Sequence, residues 1–190
     1  MLGKLKRQEP RTAPSPQPSD GLDPETGLLD AAGFQAVLER QLARDLRYGS
    51  TSALALFEIA VAERDATGPL PSPAPFVAGV LRAAVRGADV VARVSPVMFA
   101  VLLIEAKAEG AAQFTERVRT SIGSAPYARD ASGNSLYVRA WAGVAPWQPE
   151  FETVERYARA AERSLMATYR GYEAAQEWFR GEGLNRPFSV

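Results

Sequence analysis

Two apolar runs of strand length constrain this chain more than any other feature. One is SALALFEIAVA, residues 52–62, and the other is FAVLLIE, residues 99–105. Both fall short of the roughly eighteen apolar residues that a membrane helix needs. They read as strands, the first buried on both faces of a sheet. Such a sheet needs cover on each side, and the segments around the runs carry helical patterning that supplies it.

The first helical segment follows the turn-rich stretch Asp23-Pro24-Glu25-Thr26-Gly27, with Asp30 placed to cap it. Phe34, Val37, Leu38, Gln41, Leu42 and Leu46 recur at spacings of three and four, which predicts one buried stripe. Gly49 is a natural C-terminal cap. Residues 62–75 carry four prolines and a glycine and are expected to be a loop. A second helix is expected over about 76–85, with Val77, Val80, Leu81 and Ala84 inward. Strands over 90–94 and 99–104 flank a hairpin, SPVMF (Ser95-Pro96-Val97-Met98-Phe99). A third helix over about 108–122 would bury Ala112, Phe114, Val118 and Ile122. A loop containing Gly133-Asn134 precedes a strand over 136–144. A last helix begins after Pro149 and runs past Tyr169 toward Phe179. This order predicts an α/β fold with a central mixed sheet flanked by helices.

Composition narrows the chemistry. The 190 residues suit one domain with a tail, and they balance 22 basic against 22 acidic side chains, which gives no ground for a nucleic-acid partner. Cysteine is absent, so disulfides, thiol catalysis and thiolate metal sites are excluded, and a cytoplasmic setting is expected. Histidine is absent too, which removes the commonest general base and metal ligand. Residues 1–21, MLGKLKRQEPRTAPSPQPSDG, are basic and proline-rich with no apolar stretch behind the charges. They are expected to be a disordered tail rather than a secretory signal. The domain is placed at 22–180 and a C-terminal tail at 181–190. No membrane insertion is expected.

Several segments stand in the order of a known family. DPETGLLDAAGF resembles the opening turn and first helix of the GGDEF domains of diguanylate cyclases, which join two GTP molecules into cyclic di-GMP on a palm-like fold. LRAAVRGADVVARV resembles the approach to the family's signature hairpin, where this chain has SPVMF. VRAWAGVAPW resembles the late strand and ARAAERSLMATYRG the final helix. The resemblance covers roughly residues 23–173.

The departures from the family pattern bear on chemistry. Two Mg²⁺ ions serve this kind of phosphodiester formation, and they need carboxylate oxygens. Glu58 occupies the position of one family metal carboxylate at the end of the first strand. The hairpin carboxylates are replaced by Val97 and Met98, and two phosphate-approaching glycines by Ser95 and Pro96. Proline has no N–H to donate to a phosphate. Asp30 and Ala31 stand where an Asn and an Arg are usual. Ala60, Val61 and Ala62 follow Glu58 in place of the residues that position GTP and read its guanine, and Tyr169 stands at the triphosphate lysine. These changes predict no catalytic residues, no metal site, no cofactor and no enzyme activity. Glu58 reads either as a remnant carboxylate, solvated or paired with an arginine, or as a lone cation ligand.

A second family site is kept. The resemblance places product cyclic di-GMP at an RxxD motif five residues ahead of the signature, with a further arginine from the helix after the hairpin. Arg86-Gly87-Ala88-Asp89 has that spacing, and ungapped counting puts the helical arginine at Arg117. An arginine fork suits guanine O6 and N7, and an ionised Asp can accept from its N1–H and amino group. The same four residues also read as a local ion pair or helix-end cap. The expected function is a non-catalytic cyclic di-GMP receptor, using Arg86, Asp89 and Arg117, that relays the signal to a protein partner. A homodimer is one arrangement open to it. The alternative is a nucleotide-independent interaction module, with Val97-Met98 and the proline loop as contact surfaces. Arg93 is expected to support the hairpin or pair with a carboxylate. Trp141, Trp147, Tyr157, Trp178 and Phe179 are expected to pack, and Glu155, Arg156, Arg159 and Glu162 to face solvent.

Overall fold

The computed structural model describes residues 20–61 and 70–181, with side chains through Arg170. Residues 1–19, 62–69 and 182–190 lie outside it, and with them most of the expected tails and of the proline loop. The side chains of Trp178 and Phe179 lie outside it as well.

Helix α1, Ala31–Tyr48, starts because the Asp30 carboxylate accepts the Gly33 N–H at 2.8 Å. It stops where Gly49 turns left-handed at φ 64°, sending its N–H to the Asp45 carbonyl. Strand β1, Ser52–Val61, lies at the heart of the sheet. Helix α2, Ala74–Ala84, precedes β2, Val90–Ser95, and β3, Met98–Ile104. Helix α3 covers Ala108–Ser124, and β6, Val138–Pro146, leads to α4, Val154–Gly181. Where the sequence suggested a loop running into one strand from Leu136, β4, Ala128–Arg129, and β5, Ser135–Leu136, form a short ribbon of their own. Its turn is held by Asp130, which accepts the N–H groups of Ser132 and Asn134.

The main sheet has the order β2-β3-β1-β6, with antiparallel pairing throughout and a parallel bridge between Leu29 and Ala92 at one edge. Period-two alternation sends Ala53, Ala55, Phe57 and Ile59 of β1 toward a core shared with α2 and α3. Leu54 and Leu56 face the other core, built with α1 and α4. A strand apolar on both faces is what two helical layers require, as the SALALFEIAVA run predicts.

Three side chains depart from their expected places. Leu46 is exposed and Asp45 takes the buried place at the end of the α1 stripe. Ala112 is exposed, and its neighbour Ala111 packs inward in the turn below Phe114. Both errors are one-residue rotations of a helical wheel, decided by where the helix meets the sheet. Glu58 is not at the strand end, because β1 continues three residues beyond it along β6. Among the described residues no helix is long and apolar enough to cross a membrane.

Candidate functional site

Helix α2 ends at Ala84, and the chain turns through Arg86-Gly87-Ala88-Asp89 into β2. Asp89 builds this turn. Its Oδ2 accepts the Arg86 N–H at 2.9 Å, and its own N–H donates to the Arg86 carbonyl at 3.1 Å. Its Oδ1 reaches across to accept the Ile104 N–H at 3.0 Å, so the turn is stitched to the end of β3. The capping reading of the motif therefore holds for Asp89. No Arg86–Asp89 ion pair forms, and the Arg86 guanidinium has no partner among the described residues.

The three residues singled out in sequence meet in space. Arg86, Asp89 and Arg117 line one cavity of about 250 Å³ between the α2–β2 turn, the end of β3 and the outer face of α3. Arg117 lies over the Phe114 ring, its guanidinium carbon 5.5 Å from the centroid, a cation–π contact that anchors it at the cavity wall. Three polar residues not anticipated from sequence complete the wall: Glu105, Lys107 and Gln113. Their signal was weak because Glu105 and Lys107 sit in the short β3–α3 connection, where polar residues are ordinary. With three cations against two carboxylates, the wall favours an anion.

At the hairpin end of the sheet a second cavity, of about 430 Å³, is lined by Asp23, Asp30, Arg93, Ser95 and Pro96. Arg93 donates to Asp23 at 3.3 Å, to Glu25, and to the Pro96 carbonyl at 3.2 Å, tying the hairpin to the opening turn. This is the carboxylate pairing expected of it. The Val97 carbonyl accepts the Ile59 N–H at 2.9 Å, drawing the hairpin tip onto β1. Burial pushes the Asp23 carboxyl up, yet hydrogen bonds from the Thr26 hydroxyl and amide, with Arg93, outweigh it and hold it below its usual value. The Ser72 hydroxyl, then Arg93, lower Glu25 likewise.

Glu58 pairs across the sheet with Met98 on one side and Trp141 on the other, neither of which offers an oxygen ligand. Tyr169 packs its ring 5.2 Å from that of Trp141. Among the described residues no group of three or more acidic, His or Cys side chains is placed to hold a metal ion. The donor set around Glu58 does not fit a two-metal centre. Trp147 and Tyr157 pack in the α1–α4 core, while Glu155, Arg156, Arg159 and Glu162 are exposed as expected.

Comparison with known proteins gives this fold and motif order a family. The profile of the diguanylate cyclase GGDEF domain matches residues 76–171. The chain belongs to the GGDEF domain family. It is similar to the diguanylate cyclase DgcP of Pseudomonas aeruginosa, with 33% identity over 159 residues, 82% of this chain. It spans only 23% of that relative's length. Among solved structures it resembles the GGDEF domain of DgcB from Caulobacter crescentus in complex with c-di-GMP, at a TM-score of 0.68 and 20% identity. That match covers 85% of this chain and 94% of the other. It also resembles the diguanylate cyclase SiaD in complex with its activator SiaC from Pseudomonas aeruginosa, at 0.69 and 21%, covering 80% of this chain and 59% of the other. At such identities the two structures speak for the fold.

Proposed function

We propose that this domain binds cyclic di-GMP at the Arg86–Asp89–Arg117 cavity, does not synthesise it, and passes the bound state to a protein partner. The observation that carries the reading is the meeting of Arg86 and Arg117 on one cavity, each guanidinium free of any ion pair among the described residues. Free guanidinium forks are suited to phosphate and to the O6/N7 edge of guanine. The c-di-GMP bound by the DgcB domain and the protein activator bound by SiaD make both kinds of partner reasonable for this fold. A chain without cysteine suits the cytoplasm as the setting.

Loss of synthesis follows from the donor set. One carboxylate, Glu58, flanked by Met98 and Trp141, does not assemble two Mg²⁺ ions. Titration calorimetry with cyclic di-GMP tests the receptor: heat saturating at one site or one intercalated pair is expected, and its loss in Arg86→Ala. Absence of heat at high micromolar ligand would overturn the reading. Incubation with GTP and Mg²⁺ or Mn²⁺ tests the other half, and any cyclic di-GMP formed would refute it.

One observation favours a nucleotide-independent interaction module as a second reading: Val97 is 48% exposed at the hairpin tip. A partner captured equally with and without cyclic di-GMP, and lost on Val97→Asp, would select that reading.

A further inference from the structure

The RxxD carboxylate is already engaged. Oδ1 of Asp89 is aimed at the Ile104 N–H and Oδ2 at the Arg86 N–H, at 3.0 and 2.9 Å. Those two bonds hold the turn to the sheet, so a base edge at Asp89 would have to share each oxygen with a backbone amide. Recognition of guanine through its N1–H and amino group needs two carboxylate oxygens side by side.

A second carboxylate lines the same cavity. Glu105 leaves the end of β3 with φ 52°, the one non-glycine residue with positive φ among those described. That backbone favours glycine or asparagine and costs an acidic residue energy, so a glutamate here calls for a reason beyond the turn itself. Its side chain is exposed and forms no ion pair or hydrogen bond among the described residues. Lys107, two residues on and ahead of the first turn of α3, adds a third unpaired cation beside Arg86 and Arg117. The cavity, about 250 Å³, lies below the roughly 300–1,000 Å³ common for whole ligands. It has room for one purine and an adjoining phosphate.

We infer that Glu105, not Asp89, is the base-reading residue of this cavity: its carboxylate accepts from guanine N1–H and the 2-amino group, while Lys107 with the two arginines takes the phosphate. This rests on the receptor reading above. Adenine presents neither donor on that edge, so the assignment makes the site selective for guanine. Asp89 becomes a positioning residue that fixes the turn carrying Arg86.

Calorimetry on the full chain decides it, using cyclic di-GMP and cyclic di-AMP with the wild type, Glu105→Gln and Asp89→Asn. Glu105→Gln keeps the shape but turns one acceptor into a donor facing the guanine donors. It should weaken cyclic di-GMP about tenfold or more, erase the preference over cyclic di-AMP, and leave the ligand-free melting temperature unchanged. Asp89→Asn should lower that melting temperature while the guanine preference survives in whatever binding remains. Wild-type affinity and preference in Glu105→Gln would overturn the assignment and leave the receptor standing. A wild type that binds neither dinucleotide would overturn both.

Discussion

Asp45 carries a carboxylate into the interior, fully buried, with no cation paired to it among the described residues. It survives there because Gln41, Ser50 and Ser52 donate to it at 2.7, 2.6 and 2.5 Å, and Ser52 in turn meets the Tyr157 hydroxyl at 3.1 Å. Burial pushes the Tyr157 phenol well above its ordinary value, so this ring stays a neutral partner. One side chain thereby ties α1, β1 and α4 together. Asp45→Ala would strand three donors and should cost about 2–4 kcal/mol of stability, read by urea denaturation; a loss below 0.5 kcal/mol would deny the network its role. Asp89→Ala belongs at this scale too. It leaves the Arg86 and Ile104 amides without their acceptor and should cost about 1–2 kcal/mol. Neither role was legible in sequence, where Asp45 sits beside the expected stripe residue Leu46, and RGAD offered capping and binding alike. Spacing along the chain does not reveal which groups a carboxylate will meet.

Among elements, β6 and α4 meet backbone to backbone at Gly143. A Cβ built on Gly143 would lie 2.1 Å from the Leu165 nitrogen, backbone against backbone. Ser164 and Thr168 close the same contact by bonding to the Val144 N–H and the Ala142 carbonyl. Gly143→Ala must lift the helix and should cost on the order of 3 kcal/mol, visible as a fallen denaturation midpoint. The hairpin and the opening turn are joined by charge instead. Asp23 and Glu25 bind a proton less readily folded than unfolded, their usual values being 3.8 and 4.5. The stability they contribute is complete above about pH 4.5 and is lost as the pH falls through their lower folded values. Melting temperature should therefore drop on acidification below that point, with a shallower fall in Arg93→Met. An equal slope in the variant would remove the cluster from the account. The sequence did announce Arg93 as a hairpin support, since an arginine between apolar strand residues needs a carboxylate nearby. It could not say that the carboxylates come from seventy residues earlier.

For the molecule as a whole, the two ends of the sheet differ in the side chains they gather. At the hairpin end Arg93 ties the tip to the carboxylates of the opening turn, while the RxxD side holds a cavity lined by Arg86, Lys107 and Arg117. If the receptor reading holds, cyclic di-GMP at a hundred times its Kd should add about 2.7 kcal/mol to the folded state. Thermal unfolding should show the shift in wild type and none in Arg86→Ala, and equal shifts would place the ligand elsewhere. Element order was readable along the chain because periods of 2 and 3.6 are local properties, set by which side chains recur on one face. SALALFEIAVA had to be a doubly covered strand, and SPVMF visibly holds no carboxylate. Other facts depend on residues distant in sequence: that Glu105 and Lys107 share a wall with Arg86 and Arg117, that Asp89 spends both oxygens on backbone amides, and that Asp45 is buried rather than Leu46. Such juxtapositions arise only when strands and helices pack, because a side chain's partners are set by the register of the sheet and the rotation of each helix upon it.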